Sequence, residues 1–292
     1  MKIILSQYAG FCGGVDRAYK IVQEIVKDKK TAKPVFVLGS LAHNNDVVKK
    51  IEEMGIKKIS VEKNLTEYLQ NSKIKIGTLI VTAHGIGPVI YDFAKRKKIN
   101  LIDATCPKVI KVQRLARNFS KKNYQLIIIG QKKHKEVRGI FEWAACKAFF
   151  VEEEGDLEKI KLNSNKKIAI ISQTTQNSDF VKEIVAQIKK RYPKAEAYDT
   201  LCLTTHNRQS EVKKIAKNSD ILIVIGSPES ANSRRLWEIG KENNPQTYFL
   251  ERASGIKKRW FVGCKKVGIT AGASTPNWII EEVIENIKKI DF

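Results

Sequence analysis

The sequence predicts an α/β protein with mainly parallel sheets. Short apolar, β-branched runs alternate with amphipathic helical stretches along the whole chain, and this pattern recurs three times. Such alternation is typical of βαβ units, in which a helix returns the chain to a parallel strand. The predicted strands include Val35–Leu38, Leu79–Val81, Leu126–Ile129, Ile168–Ile171, Ile221–Ile225 and Val267–Ile269. The predicted helices include Val109–Phe119, Phe180–Ile188, Val212–Ala216 and Ile279–Ile287.

Composition narrows the class of protein. A chain of 292 residues with 42% hydrophobic content can bury ordinary cores. It has no apolar run long enough for a membrane span or a secretory signal, so we expect a cytoplasmic protein with no membrane partner. Five cysteines are too few and odd in number for a disulfide framework, so they are expected to be free thiols or metal ligands.

The net charge of +22 raises the possibility of a nucleic-acid partner. Most of the basic residues are lysines scattered over predicted helix faces, and no basic stretch interleaved with aromatic residues is present. We therefore expect no nucleic-acid partner. An RNA-binding protein remains the alternative, and strong, salt-dependent RNA binding by a colourless protein would favour it.

Three cysteines mark an internal repeat. Cys12, Cys106 and Cys202 are 94 and 96 residues apart, and each lies where a strand pattern gives way to a helix pattern. Three equivalent α/β domains are predicted, over residues 1–105, 106–200 and 201–292. Arranged about a pseudo-threefold axis, such domains can direct equivalent residues to one central cavity.

Polar residues follow the predicted strands in each third of the chain, where ligands bind in open α/β sheets. Their hydrogen-bond donors suit a phosphate-binding site. The residues proposed for it are His43, His84, His134, Ser230, Asn232 and Ser274. Glu136, two residues after His134, is predicted to be a proton donor, and the alternative is a carboxylate that only stabilises a helix N-terminus.

The repeated thiols favour an iron–sulfur cluster. No C-x-x-C pair occurs among Cys12, Cys106 and Cys202, which argues against a zinc knuckle or a disulfide oxidoreductase. Because four thiolates normally hold [4Fe–4S], three would leave one iron open to a substrate oxygen. Cys146 and Cys264 lie outside the repeat and are interpreted as ordinary packed or surface thiols.

Several motifs, in order over residues 10–276, resemble the 4-hydroxy-3-methylbut-2-enyl diphosphate reductase family of the non-mevalonate isoprenoid pathway. The runs that carry the resemblance are Gly10-Phe11-Cys12-Gly13-Gly14-Val15-Asp16-Arg17-Ala18, Ala83-His84-Gly85, Asp103-Ala104-Thr105-Cys106-Pro107, Gln173-Thr174-Thr175, Asn207-Arg208-Gln209, Asn232-Ser233 and Ala271-Gly272-Ala273-Ser274.

The resemblance implies a trefoil of three α/β domains and a [4Fe–4S] cluster on Cys12, Cys106 and Cys202, which oxygen degrades to [3Fe–4S] or removes. It assigns Glu136 to proton delivery and Thr174 to both proton delivery and the substrate hydroxyl. The six residues of the phosphate-binding site match its diphosphate ligands. The family takes two electrons from a carrier such as flavodoxin or ferredoxin, expels water, and releases isopentenyl and dimethylallyl diphosphates.

Three residues depart from the family pattern. Ala231 stands where a second Ser is usual, Lys135 replaces a Pro, and His206 replaces a small hydroxyl residue.

A second alternative function also stays open: a plain binding protein for phosphorylated metabolites would share the phosphate-binding residues but tolerate loss of all three cysteines.

Overall fold

The computed structural model of the chain describes residues 1–60, 67, 69, 74–163 and 165–290. Its strands are β1 Lys2–Leu5, β2 Val35–Leu38, β3 Lys57–Ile59, β4 Thr78–Val81, β5 Asn100–Asp103, β6 Gln125–Ile129, β7 Phe149–Val151, β8 Ile168–Ser172, β9 Glu196–Ala197, β10 Ile221–Ile225, β11 Thr247–Leu250 and β12 Lys266–Ala271.

The α-helices in these residues are α1 Gly13–Lys27, α2 Asn45–Glu53, α3 Pro88–Arg96, α4 Pro107–Lys121, α5 Lys135–Trp143, α6 Asp156–Lys159, α7 Ser178–Arg191, α8 Leu203–Lys217, α9 Ala231–Asn243 and α10 Asn277–Lys288. Two short 3₁₀ helices span Ala253–Gly255 and Lys258–Phe261. Every strand and helix predicted from the sequence lies within one of these elements.

The chain divides into two compact units. One comprises Met1–Asp16, Ser40–Ile51 and Leu203–Phe292, and contains a sheet of order β1-β12-β10-β11. The other comprises Arg17–Gly39 and Glu52–Cys202, and contains two sheets, of order β3-β2-β4-β5 and β7-β6-β8-β9.

All three sheets share one topology. Their strands are paired in parallel throughout, which confirms the predicted α/β class with parallel sheets. When the strands of a sheet are numbered in chain order, with β1 counted after β12, the second strand lies at one edge and is followed across the sheet by the first, the third and the fourth. In two sheets the four strands are consecutive, whereas β1 supplies the fourth strand beside β12 in the remaining one, with Lys2 opposite Lys266. The division at residues 105 and 200 stays a prediction.

The inner strands are buried on both faces, as parallel strands covered by helices must be. In the β6–β9 sheet, Leu126 and Ile128 pack with α4 and α5. Ile127 and Ile129 point the other way and pack with α7. Successive side chains of a strand point to opposite faces of the sheet, and both faces are buried here. Every residue from Leu126 to Ile129 is therefore apolar.

A glycine immediately follows one inner strand of each sheet, namely β2, β6 and β10. In each sheet the glycine N–H donates to the carbonyl of the last residue of the neighbouring edge strand. These bonds are Gly39 N to Ile59 O at 2.8 Å, Gly130 N to Val151 O at 2.9 Å and Gly226 N to Leu250 O at 2.9 Å. Gly226 also lies against the fully buried side chain of Ser233, where a Cβ would overlap with it. The repeat therefore extends to the backbone turns at the carboxyl ends of the strands.

Within the part of the chain that the structure describes, no helix combines the length and apolar character needed to cross a bilayer.

Candidate active site

The three repeated cysteines each precede a helix. Cys106 is the N-cap residue of α4, while Cys12 and Cys202 immediately precede α1 and α8. The three helices are all 15 residues long. The partial positive charge at a helix N-terminus stabilises a thiolate, which is the form that binds metals.

One backbone hydrogen bond fixes each of these cysteines. The acceptor is a carbonyl two residues beyond the third strand of its sheet. Cys12 N donates to Ala273 O at 3.2 Å, Cys106 N to Ala83 O at 3.0 Å, and Cys202 N to Thr174 O at 2.9 Å. Each thiol therefore occupies an equivalent position relative to its own sheet, as the sequence spacing predicted.

Further polar contacts hold the segments that lead into the cysteines. The buried guanidinium of Arg208 donates to Gly10 O at 2.6 Å and to Ala271 O at 2.9 Å. Arg17 donates to Thr105 O at 3.2 Å, one residue before Cys106. We did not predict these positioning roles, although both arginines lie in motifs noted in the sequence.

The other two cysteines differ in environment. None of the five cysteines is in a disulfide, and Cys12, Cys106, Cys202 and Cys264 are partly buried. Cys146 is exposed just beyond α5. Burial and the nearby Asp220 carboxylate raise the pKa of the Cys264 thiol, which opposes formation of the thiolate. Cys146 is thus a surface thiol and Cys264 a partly buried one packed against the core, and their exclusion from a metal site stays a prediction.

Glu136 and Thr174 form a buried pair. Glu136 is 2% exposed in the first turn of α5. One of its carboxyl oxygens accepts from Thr174 N at 2.6 Å and the other from Thr174 Oγ1 at 2.9 Å. Because Cys202 N donates to Thr174 O, the same residue contacts both the predicted proton donor and a predicted cluster ligand.

Burial and hydrogen bonding act in opposite directions on Glu136. Removal from water raises the pKa of its carboxyl, while the two hydrogen bonds from Thr174 lower it. Burial is the larger effect and the pKa rises to about 7. At neutral pH the side chain therefore exists in both protonation states, which suits a group that releases and regains a proton.

His84 and His134 lie side by side in the same unit, with ring centroids 5.7 Å apart in an edge-to-face arrangement. His134 caps α5, and its Nδ1 accepts a hydrogen bond from Glu136 N at 3.2 Å. A neutral imidazole that accepts at Nδ1 carries its proton on Nε2. His134 therefore presents an N–H donor at its Nε2 edge.

The other unit contains a second group of donors, at the N-terminus of α9. Ser230 is the N-cap residue, with its side chain accepting from Ser233 N at 3.3 Å. Asn232 is only 7% exposed, and its Nδ2 has no hydrogen-bond partner among the described residues. A buried amide donor without a partner at a helix N-terminus is suited to an anionic ligand.

Ser274 and His43 are in contact within that unit, since Ser274 Oγ donates to His43 O at 3.3 Å. The structure thus places His43 with Ser274, Ser230 with Asn232, His84 with His134, and Glu136 with Thr174. Convergence of all the predicted site residues on one cavity stays a prediction. Among the three departures, Lys135 and His206 are exposed, and Ala231 is the first residue of α9.

Comparison with known proteins identifies the family. A family model described as LytB protein matches residues 3–288. The chain belongs to the LytB family. Its relatives include proteins named 4-hydroxy-3-methylbut-2-enyl diphosphate reductase. That of Geobacter metallireducens is 41% identical over 100% of this chain and 98% of its own. That of Aquifex aeolicus is 38% identical over 99% and 96%, respectively. This LytB protein is therefore an enzyme of the oxidoreductase class.

Solved structures agree with this membership. The structure of a reductase from Plasmodium falciparum, described as acting on E-1-hydroxy-2-methyl-but-2-enyl-4-diphosphate, has a TM-score of 0.88 and 33% identity, over 97% of this chain and 87% of that one. A second, described as (E)-4-hydroxy-3-methyl-but-2-enyl diphosphate reductase, the terminal enzyme of the non-mevalonate pathway, has a TM-score of 0.72 and 36% identity, over 99% and 100%.

The raised pKa of Glu136 predicts a pH-dependent stability difference for Glu136→Gln. A carboxyl whose folded-state pKa lies above its unfolded value stabilises the fold at low pH, and this contribution is lost as pH rises towards about 7. Gln resembles the protonated carboxyl and does not titrate. Relative to wild type, the variant should therefore gain stability between about pH 4.5 and 7, by roughly 3 kcal/mol.

Urea unfolding of both proteins across this pH range measures the difference. Asp92→Asn makes the same change from carboxyl to amide at an exposed residue on α3 and serves as the matched control. A stability difference between Glu136→Gln and wild type that does not change with pH would contradict the raised pKa.

Proposed function

We propose that this enzyme reduces 4-hydroxy-3-methylbut-2-enyl diphosphate to isopentenyl and dimethylallyl diphosphates at a [4Fe–4S] cluster. The observation that carries the proposal is the equivalent placement of Cys12, Cys106 and Cys202 before three helix N-termini. Membership of the LytB family and the names of its relatives supply the substrate.

The donor set fits such a cluster. Three thiols outside disulfides are soft ligands of the kind that iron–sulfur clusters require, and each lies at a helix N-terminus. Cys12, Cys106 and Cys202 would hold the cluster. When bound, it would supply electron transfer and, with only three protein thiolates, an iron that can act as a Lewis acid.

The diphosphate would be bound by the donors at the carboxyl ends of the strands. Asn232 Nδ2 offers a buried amide donor at the N-terminus of α9, where the helix dipole favours negative charge. Ser230, Ser274 and the three histidines His43, His84 and His134 complete the proposed set. Their role is to hold the substrate so that its hydroxyl group lies next to the proton donor.

Glu136 would protonate the leaving hydroxyl. The reaction consumes two electrons and two protons, breaks the allylic C–O bond, and releases one water. Thr174 Oγ1 lies 2.9 Å from the Glu136 carboxyl and would hold the substrate hydroxyl on the path of that proton. Because the site is buried, loss of hydroxide without a proton would be strongly disfavoured. A flavodoxin- or ferredoxin-type carrier would supply the electrons.

Anaerobic turnover of the diphosphate with an artificial one-electron donor tests the function, with both products quantified. Cys106→Ser should lose the cluster and all turnover, because a hydroxyl is a poor ligand for this soft site. Iron and sulfide content is measured on the same samples.

Cys146→Ser is the matched control and should keep both cluster and turnover, since that thiol is exposed outside the repeat. Full turnover in Cys106→Ser would end the cluster proposal. Unaltered diphosphate binding without turnover, in wild type and in all three single cysteine variants, would instead favour a plain binding protein.

Replacement of Asn232 separates binding from chemistry. Asn232→Ala removes a donor that would contact the diphosphate before and during the reaction, so KM should rise by about tenfold or more while kcat falls much less. Loss of a hydrogen bond to a charged group is typically worth about 1.5–3 kcal/mol. Asn243→Ala, near the C-terminal end of the same helix, is the control. An unchanged KM in Asn232→Ala would remove this residue from the binding set.

A further inference from the structure

Helix α4 has an unusual charge composition. Its sequence contains Lys108, Lys111, Arg114, Arg117 and Lys121, and no Asp or Glu. Each of the other α-helices that the structure describes contains at least one acidic residue. The general lysine richness of the chain therefore does not account for this helix, in which positive charge is not interspersed with negative charge.

Two of these five cationic residues, Lys111 and Arg114, line an open groove on the outer face of α4. Pro107, Lys111, Arg114 and Asn118 are exposed and recur at helical spacing. Together with the partly buried Ile110 and Leu115, they line a groove of about 350 Å³. We call the row from Pro107 to Asn118 the α4 stripe. It is roughly 16 Å long, because an α-helix rises about 1.5 Å per residue.

The opposite face of α4 fixes the helix in place. Val112, Ala116 and Phe119 are buried in the core with the apolar side chains of β6 and β8. Arg117 lies over the Trp143 ring, with its guanidinium 5.4 Å from the ring centroid, which ties α4 to α5. The groove therefore lies on a helix whose other face is packed into the core.

The stripe begins beside the proposed cluster. Pro107 directly follows Cys106, so the exposed face starts at the residue next to a proposed thiolate ligand and extends away from it. A redox protein seated on the first turns of α4 would bring its own centre towards Cys106. A surface placed here is suited to electron delivery, which the proposed reaction requires twice per turnover.

We propose that the outer face of α4 is the docking site for an acidic, one-electron carrier protein. The inference rests on the proposed function, because it assumes an electron-accepting centre at Cys106. Carboxylates of the carrier meet Lys111 and Arg114, and an apolar side chain covers Ile110 and Leu115. Electron-transfer complexes have small interfaces and depend on electrostatic steering for fast association, which a short basic stripe provides.

A protein carrier fits this surface better than a nucleic acid does. Single-stranded nucleic acids are bound by basic grooves with aromatic platforms for the bases. The only aromatic residue of α4 is Phe119, which is buried. The exposed groove instead combines cations with aliphatic side chains.

Charge reversal on the stripe tests the proposal. The holoenzyme carrying Lys111→Glu and Arg114→Glu is assayed with reduced plant-type [2Fe–2S] ferredoxin and, separately, with methyl viologen. KM for ferredoxin should rise about tenfold or more and the salt dependence of the rate should weaken, while turnover with methyl viologen stays unchanged. Binding of oxidised ferredoxin, measured by interferometry, should weaken by the same factor.

Lys189→Glu with Lys190→Glu is the matched control, since it makes the same change in net charge on exposed residues at the end of α7. The proposal would be overturned if the control lost as much ferredoxin affinity as the α4 variant, or if the α4 variant bound ferredoxin as tightly as wild type. If charge reversal prevents folding, Lys111→Gln with Arg114→Gln should raise KM in the same direction by a smaller factor.

Two further outcomes are distinguishable. Tight binding of labelled poly(U) that is lost in the α4 variant, with ferredoxin kinetics unchanged, would make the stripe a nucleic-acid site and overturn the proposal. Absence of wild-type turnover with methyl viologen would count against the proposed reaction, whereas the measured ferredoxin affinity would still decide the role of the surface.

Discussion

The proposed site depends on one backbone hydrogen bond that occurs three times. The N–H of Cys12, Cys106 or Cys202 meets a carbonyl two residues beyond the third strand of its sheet. Parallel pairing brings the carboxyl ends of neighbouring strands to one edge, so the turn after the third strand can reach the start of the helix that follows the fourth. The thiol then lies at the N-terminus of that helix, where the backbone carries partial positive charge.

Glu136 shows a second constraint, in which two local effects oppose each other. Thr174 donates to both carboxyl oxygens and so favours the carboxylate, yet burial favours the neutral acid more strongly. A mobile, exposed carboxyl would remain ionised at neutral pH. The first turn of α5 thereby holds a buried carboxyl that can donate a proton in the neutral range.

The sequence predicted six of the twelve described strands, four of the ten described α-helices and the equivalent positions of the three cysteines, because those features depend on local periodicity and spacing. It did not predict that β1 pairs with β12, since the strand partner depends on tertiary contacts. The support that Arg208 gives to Gly10 O also joins residues far apart in the chain. The pKa of Glu136 depends on burial by elements that only the folded chain brings together.

The dependence of kcat on pH tests the central claim most directly, namely that Glu136 delivers the proton to the leaving hydroxyl. With saturating substrate and methyl viologen, wild-type kcat should fall as pH rises through about 7, because the protonated donor is lost. Glu136→Gln should keep its cluster, show no such fall, and turn over about 10²–10⁴-fold more slowly. Near-normal turnover in Glu136→Gln, or a wild-type kcat that rises through this range, would contradict the account.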